Sequence, residues 1–262
     1  MKKVLLTVLP LASCEKLLAC LILFLTNGKE VLIANHEDWA ALDAEVRFQT
    51  AQKGKYGFVA FDFRSEGWPQ GGMNTAGLFF DGTATPYAPY PEGEKKKDCS
   101  CYIWTKILEE CNSVAAAIEY VKTYKIPEME NIHVLLADKT GASAIVGVYN
   151  EALNIYYRTG NHQLLTNFNI ADPSYGGEEP CRRFDTTVQM LKRDSTASIN
   201  NLEKILSKTH QDELTAYSNI YNLTTGEVVV YYRHNFEKKK VFKLNTELKK
   251  GNHRTLLSSL FE

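Results

Sequence analysis

Apolar and polar positions organise the start of this chain as a pair of strands. Residues 20–26 read Cys-Leu-Ile-Leu-Phe-Leu-Thr and residues 29–35 read Lys-Glu-Val-Leu-Ile-Ala-Asn, with Asn27-Gly28 between them. Both turn residues tolerate positive φ, so two apolar runs joined in this way predict a hairpin. Further strands are predicted at 56–63 and 77–83, then a meander over 132–137, 144–149 and 153–158, with turns at Thr140-Gly141 and Asn150-Glu151. Another strand is expected at 162–168, and a closing hairpin pairs 217–222 with 227–233 across a Thr-Thr-Gly turn. Helical spacing appears at Ile103, Ile107, Leu108 and Cys111, and again, after Asn112-Ser113 as a cap, at Val114, Ala117, Ile118 and Val121. Two more helices are predicted at 182–191 and 199–206, while residues 86–97, with three prolines and three consecutive lysines, read as a surface loop. Strands at both ends with paired helices between them predict an α+β fold in which helices cover two antiparallel sheets.

The first nineteen residues have a different pattern. Met1-Lys2-Lys3 is a short positive segment, and residues 4–12 are an apolar run of nine. That length suits a secretion signal and is too short to span a bilayer, which takes about 20 residues. Leu11-Ala12-Ser13-Cys14 has the form of a lipobox, in which Cys14 would be lipidated; a cut after Ala19 would instead make Cys20 the first residue. Residues 1–19 are therefore expected to be a signal or pro-segment and residues 20–262 the folded domain. Export is expected, to the bacterial periplasm or as a lipoprotein, with membrane contact only through a lipid on Cys14. The alternative is a buried N-terminal helix.

Composition narrows the function. The chain has 262 residues, is 44% hydrophobic and carries 30 Lys plus Arg against 31 Asp plus Glu. A core of this size needs no disulfide or metal to hold it, and so balanced a charge argues against a general nucleic-acid binder. The six cysteines show no metal-ligand spacing: Cys99 and Cys101 are one residue apart with no second pair, and Phe184 stands where a Pro-Cys-x-x-Cys motif beginning at Pro180 would need its second cysteine. Gly141-Ala-Ser143-Ala-Ile145 lacks the last glycine of a nucleophile elbow, and His36-Glu37 lacks a second histidine at position 40. No cofactor or metal is expected. Partners are limited to a small molecule, and a homo-oligomer stays open.

What remains is Cys20 at the head of the first strand. The Asn27-Gly28 turn folds Asp38 back towards it. A cysteine freed at its own N-terminus carries a base with it, because an α-amine titrating near ~8 can take the thiol proton. The plain alternative is a small buried hydrophobe opening a core strand.

The segment from Cys20 to Asn35-His36-Glu37-Asp38-Trp39 resembles the start of the linear-amide C–N hydrolases. That group includes choloylglycine (bile salt) hydrolases, penicillin V acylases and relatives of acyl-CoA:6-aminopenicillanate acyltransferases, all N-terminal-nucleophile hydrolases. Four more stretches resemble the group in the same order: Gly71-Gly72-Met73-Asn74-Thr75-Ala76-Gly77-Leu78, Leu165-Thr166-Asn167-Phe168, Pro180-Cys181-Arg182-Arg183-Phe184, and Tyr217-Ser218-Asn219-Ile220-Tyr221 with the hairpin that follows. The resemblance implies a four-layer αββα sandwich and an amidase acting through a thioester, with acyl transfer as a side activity. It implies Cys20 as nucleophile, Asp38 orienting it, Asn167 in the oxyanion hole and Arg183 supporting the nucleophile by its charge. Such a charge would lower the thiol pKa. Asn35 and Asn74, on the matched motifs, and the aromatic Trp39 and Phe80 are the candidate substrate-binding residues.

Two positions depart from the pattern. Asn35 stands where the bile salt hydrolases carry arginine, and Leu21 where Ser or Thr commonly follows the nucleophile. Specificity for bile salts or penicillin V therefore does not follow. A rival reading is a non-catalytic, exported or lipid-anchored binding protein that kept the fold. The glycine-rich stretch 66–72 is expected to be a mobile rim over the site.

Overall fold

Strand β1 (Leu21–Thr26) is buried along its whole length, and its two faces meet different layers. Side chains alternate along a strand. Leu21, Leu23 and Leu25 pack with the helical residues Leu191, Leu202, Ile205 and Leu206, whereas Ile22 and Phe24 pack with Val46, Phe61 and Phe79 of a second sheet. An uninterrupted apolar run is what a strand buried on both faces requires.

The computed structural model of the chain describes residues 20–91, 95–171 and 181–262. Strand β2 (Val31–Asp38) returns antiparallel to β1, with Thr26 opposite Val31 and Leu21 opposite His36. Gly28 takes the positive φ that the turn demands. In chain order follow β3 (Ala44–Gln49), β4 (Phe58–Phe63), β5 (Pro69–Asn74), β6 (Leu78–Ala84), α1 (Ile103–Glu110) and α2 (Val114–Thr123). Next come β7 (Ile132–Asp138), β8 (Ser143–Tyr149), β9 (Ala152–Tyr157), β10 (His162–Leu165), α3 (Arg182–Arg193) and α4 (Ile199–Thr209). The chain closes with β11 (Thr215–Asn222), β12 (Glu227–Tyr232), β13 (Lys240–Lys243), α5 (Leu244–Leu248) and β14 (His253–Leu256). One sheet has the order β10-β1-β2-β11-β12-β13 and the other β14-β3-β4-β5-β6-β7-β8-β9. All the paired strands within them are antiparallel.

Three apolar clusters define the layers. One lies between the sheets, one joins α3 and α4 to the outer face of the six-stranded sheet, and one joins α1 and α2 to the outer face of the eight-stranded sheet through Phe80, Trp104, Ile107 and Leu136. The expected four-layer αββα sandwich is therefore the observed fold. Ser113 caps α2 by accepting from the Ala116 N–H at 3.3 Å.

The differences are local. Strand β10 stops at Leu165 rather than continuing to 168. Strands β3, β13 and β14 and helix α5 carry charged or polar residues at many positions and short apolar runs, so periodicity did not mark them. The rim expected at 66–72 needs correction: from Pro69 onward it is β5, an interior strand of the larger sheet. Its glycines permit close approach, since a Cβ on Gly72 would stand 2.4 Å from the Val59 carbonyl oxygen and one on Gly71 2.4 Å from Asp81 Oδ2. Cys99 and Cys101 form a disulfide, and Cys111 is buried in the core. The expected signal segment, with Cys14, lies outside the described residues, and among the described residues no helix is long and apolar enough to cross a membrane.

Gly72→Ala is expected to cost about 1–3 kcal/mol, because the new methyl meets backbone on the neighbouring strand and cannot relax by a rotamer change. Urea denaturation of the two proteins measures it. A variant as stable as the parent would show that β5 is not held this tightly.

Candidate active site

Strand register decides which side chain meets Cys20. Leu21 lies opposite His36, so Cys20, one residue earlier, stands across from Glu37. Its thiol donates to Glu37 Oε1 at 3.4 Å. Glu37 shares with Ile33 and Asn35 the face of β2 turned towards the second sheet, whereas His36 and Asp38 lie on the face turned towards α3 and α4. The carboxyl that accepts from the thiol is therefore that of Glu37 and not of Asp38, the residue expected to orient Cys20. Asp38 reaches the sulfur only through its backbone N–H.

The Asp38 carboxylate instead anchors the helix layer. It accepts from Arg183 Nη1 at 2.7 Å, from Gln211 Nε2 at 2.9 Å and from the Thr215 hydroxyl. Arg183, in the first turn of α3, also donates from Nη2 to Asn167 Oδ1 at 3.0 Å, and Asn167 Nδ2 donates to the Ala84 carbonyl at 2.8 Å. The sequence-distant Asp38, Asn167 and Arg183 thus form one hydrogen-bonded chain beside Cys20.

The electrostatics differ from expectation. Burial pushes the Cys20 thiol well above its ordinary pKa, and the charges of Glu37, Asp38 and Asp81 push it further, against the Asp38 N–H. The guanidinium of Arg183, expected to support the nucleophile by its charge, is bonded to Asp38 and Asn167. Burial also pushes Glu37 up to about 8, with the proximity of Asp38 and Glu66 adding to it and the Cys20 thiol opposing it. Asp81 is pushed well up by burial and by Glu37. It accepts from Asn35 Nδ2 at 2.8 Å and from the Gly82 N–H at 2.7 Å, both neutral donors. His36 is held neutral by burial, with its ring nitrogens on the Ser218 and Thr209 hydroxyls.

A cleft of about 420 Å³ opens over Cys20 and is lined by Glu37, Asp38, Trp39, Glu66, Trp68, Phe80, Thr83, Tyr102, Trp104 and Glu128 among others. Trp39 and Phe80, two of the candidate substrate-binding residues, line it. Two other expected contacts do not. Asn35 is fully buried beneath it against Asp81, and Asn74 is a structural residue that donates to the Leu108 and Cys111 carbonyls and accepts from the Ala76 and Leu78 N–H groups. Sequence reasoning missed Glu37, Glu66, Asp81, Tyr102 and Glu128. For Glu37 a signal existed, since the hairpin register places it opposite Cys20. The others sit in elements with no motif. Among the described residues, no group of three or more His, Cys, Asp or Glu side chains is arranged to hold a metal ion.

The family described as acyl-coenzyme A:6-aminopenicillanic acid acyl-transferase matches residues 25–262. The chain belongs to that family. Among curated proteins none matches it. The fold recurs in a conjugated bile acid hydrolase from Clostridium perfringens, at 19% identity and TM-score 0.68, covering 90% of this chain and 96% of that one. It recurs in a penicillin V acylase from Agrobacterium tumefaciens at 15% identity and TM-score 0.61, covering 81% and 82% of the two chains. An N-acylethanolamine-hydrolyzing acid amidase ortholog from Caenorhabditis elegans matches at 12% identity and TM-score 0.62, covering 78% and 93%. At these identities the structural likeness establishes the N-terminal-nucleophile hydrolase fold. The family match begins five residues after Cys20, so the proposed nucleophile stands outside the matched span.

Two outcomes follow for stability. Arg183→Ala leaves Asp38 buried without its cation and is expected to cost about 3–5 kcal/mol, with the Asp38→Asn/Arg183→Met double variant recovering part of the loss. Denaturant melts of the three variants check this. Glu37 binds its proton more tightly folded than unfolded, so stability should fall as pH rises from its ordinary value of 4.5 to about 8. Glu37→Gln should flatten that fall and raise the melting temperature at pH 8 by roughly 5 °C, read by thermal melts from pH 5 to 9.

Proposed function

We propose that the protein is a cysteine amidase that hydrolyses a linear, non-peptide C–N amide of an N-acylated small molecule. The observation that carries this reading is Cys20 at the floor of an aromatic cleft, just ahead of β1 and beside the Asp38–Arg183–Asn167 chain. In the proposed cycle, removal of residues 1–19 during export frees the Cys20 α-amine, which takes the thiol proton. The Cys20 sulfur attacks the amide carbon, and the carbonyl π electrons move to oxygen. Asn167 supplies a side-chain amide donor to that oxyanion. Its collapse expels the amine, which takes up the proton, and leaves a thioester on Cys20. Water then adds and releases the acid, so one amide and one water give one acid and one amine. A second amine in place of water gives acyl transfer as a side activity.

The raised thiol pKa favours a second reading, an exported binding protein whose cysteine is inert. A buried thiol with three carboxylates around it is a poor nucleophile until something positive arrives. A freed α-ammonium at Cys20 would be such a charge, whereas a peptide bond there supplies none. N-terminal sequencing of protein from the native host therefore comes first, with Cys20 expected as the first residue. An intact chain lipidated at Cys14 would overturn the amidase reading.

For the enzyme beginning at Cys20, a panel of N-acyl amides should show burst release of amine and an acyl adduct on Cys20 by mass spectrometry. Cys20→Ala should lower turnover by about 10³ or more. Asn167→Ala should lower kcat by about 10²–10³ with little change in KM, as expected for a donor used in the transition state. Absence of any adduct across the panel would favour the binding protein.

A further inference from the structure

The walls of the cleft combine aromatic faces with carboxylates and contain no Lys, Arg or His among the described residues. Trp39 and Trp68 also line it, 37% and 45% exposed, and so present apolar ring surface to whatever enters. Trp68 and Tyr102 lie side by side in the wall, 6.1 Å between ring centroids and tilted by 32° to each other. Glu66 and Glu128 line the same cleft, and both act on the Tyr102 phenol, which burial and their charges together push up. Glu66 also bears on Glu37, so the carboxylates share one electrostatic field rather than sitting apart. Inside that field Glu37 Oε2 is buried with no hydrogen-bond partner among the described residues, although the other oxygen of the same carboxyl holds the Cys20 thiol. Arg183 is bound to Asp38 on the other face of β2.

Such a lining has a clear chemical preference. An anionic substituent would meet Glu37, Glu66 and Glu128 with nothing to pair with it. A positive charge on an apolar arm gains the ring faces by cation–π attraction and the carboxylates by Coulomb attraction in a partly dehydrated site. We propose that the cleft selects linear amides carrying an ammonium or quaternary ammonium group on an apolar arm, seated on the Trp68–Tyr102 surface with Glu66 and Glu128 as counter-ions. The proposal deepens the amidase reading by naming the substrate class of the same site. A cleft of about 420 Å³ fits one short arm, since ligand sites run from roughly 300 to 1,000 Å³.

The test uses the intact protein and three probes with no cleavable bond, 5-phenylpentyl chains ending in trimethylammonium, hydroxyl or carboxylate. Titration calorimetry at low salt should give an affinity for the ammonium about tenfold or more above that for the alcohol, with the carboxylate weakest. Glu66→Gln/Glu128→Gln, which alters only partly or fully exposed side chains, should bring the ammonium-to-alcohol ratio close to one. Trp68→Ala should weaken the ammonium more than the alcohol. Equal affinities for the three probes, or tightest binding of the carboxylate, would overturn the proposal. Because the probes are not substrates, the two readings fail separately. Ammonium preference without cleavage of any amide would leave the selectivity standing and sink the amidase, and cleavage without that preference would do the reverse.

Discussion

Arg183 and Asp38 are 145 residues apart in the chain, and their side chains meet at 2.7 Å with both nearly removed from water. A buried carboxylate left alone would be strongly destabilising, so the contact fixes the start of α3 against the end of β2. It also sets the position of Asn167, whose amide oxygen takes the second nitrogen of the same guanidinium. Asn167 in turn donates to Ala84, at the end of β6, and so links the two sheets at the edge of the cleft. One planar side chain with several fixed donors thereby aligns an outer helix, the central strand of one sheet and the last residue of a strand in the other. Gln211, between α4 and β11, and Thr215, the first residue of β11, complete the carboxylate's partners.

The opposite face of β2 is arranged differently. Asn35 and Glu37 point into the space between the sheets, where Asp81 approaches from β6. Asn35 offers Asp81 an amide rather than a charge. With neutral donors alone, burial dominates and moves both Glu37 and Asp81 towards their protonated forms. An arginine at position 35, as the sequence pattern of bile salt hydrolases would place there, would oppose that shift. Without it, two carboxyls of raised proton affinity lie on the inner side of the strand, one of them in contact with the Cys20 thiol.

The layers were legible because they depend on periodicity. The fully apolar β1, the Asn27-Gly28 turn, the 3.6-residue spacing of α1 and α2, and the Ser113 cap are local signals, and each element formed within a few residues of its expected place. Strand β5 was not legible, because Gly71 and Gly72 resemble loop residues until the neighbouring strand shows that no Cβ would fit. In the site, Cys20, Asp38, Asn167 and Arg183 came from motif resemblance and do gather in one place. Their connections did not follow from the motifs. Whether Glu37 or Asp38 faces the thiol depends on a single residue of register, and strand parity reverses with each step. Glu66, Tyr102 and Glu128 have no periodic or motif signal, since they are brought together only by the packing of loops and helix starts around the cleft.

That same parity explains how one strand end serves two electrostatic purposes. Asp38 and Glu37 are consecutive, yet the first is compensated by a cation and two further hydrogen bonds while the second keeps an oxygen with no hydrogen-bond partner among the described residues. Compensation on the helix face makes Asp38 part of the scaffold. Lack of it on the inner face gives Glu37 a raised proton affinity that a bound cation would relieve, because a positive charge nearby favours the carboxylate. A positive group entering the cleft would favour the ionised form of the carboxyl that already accepts from the Cys20 thiol at 3.4 Å.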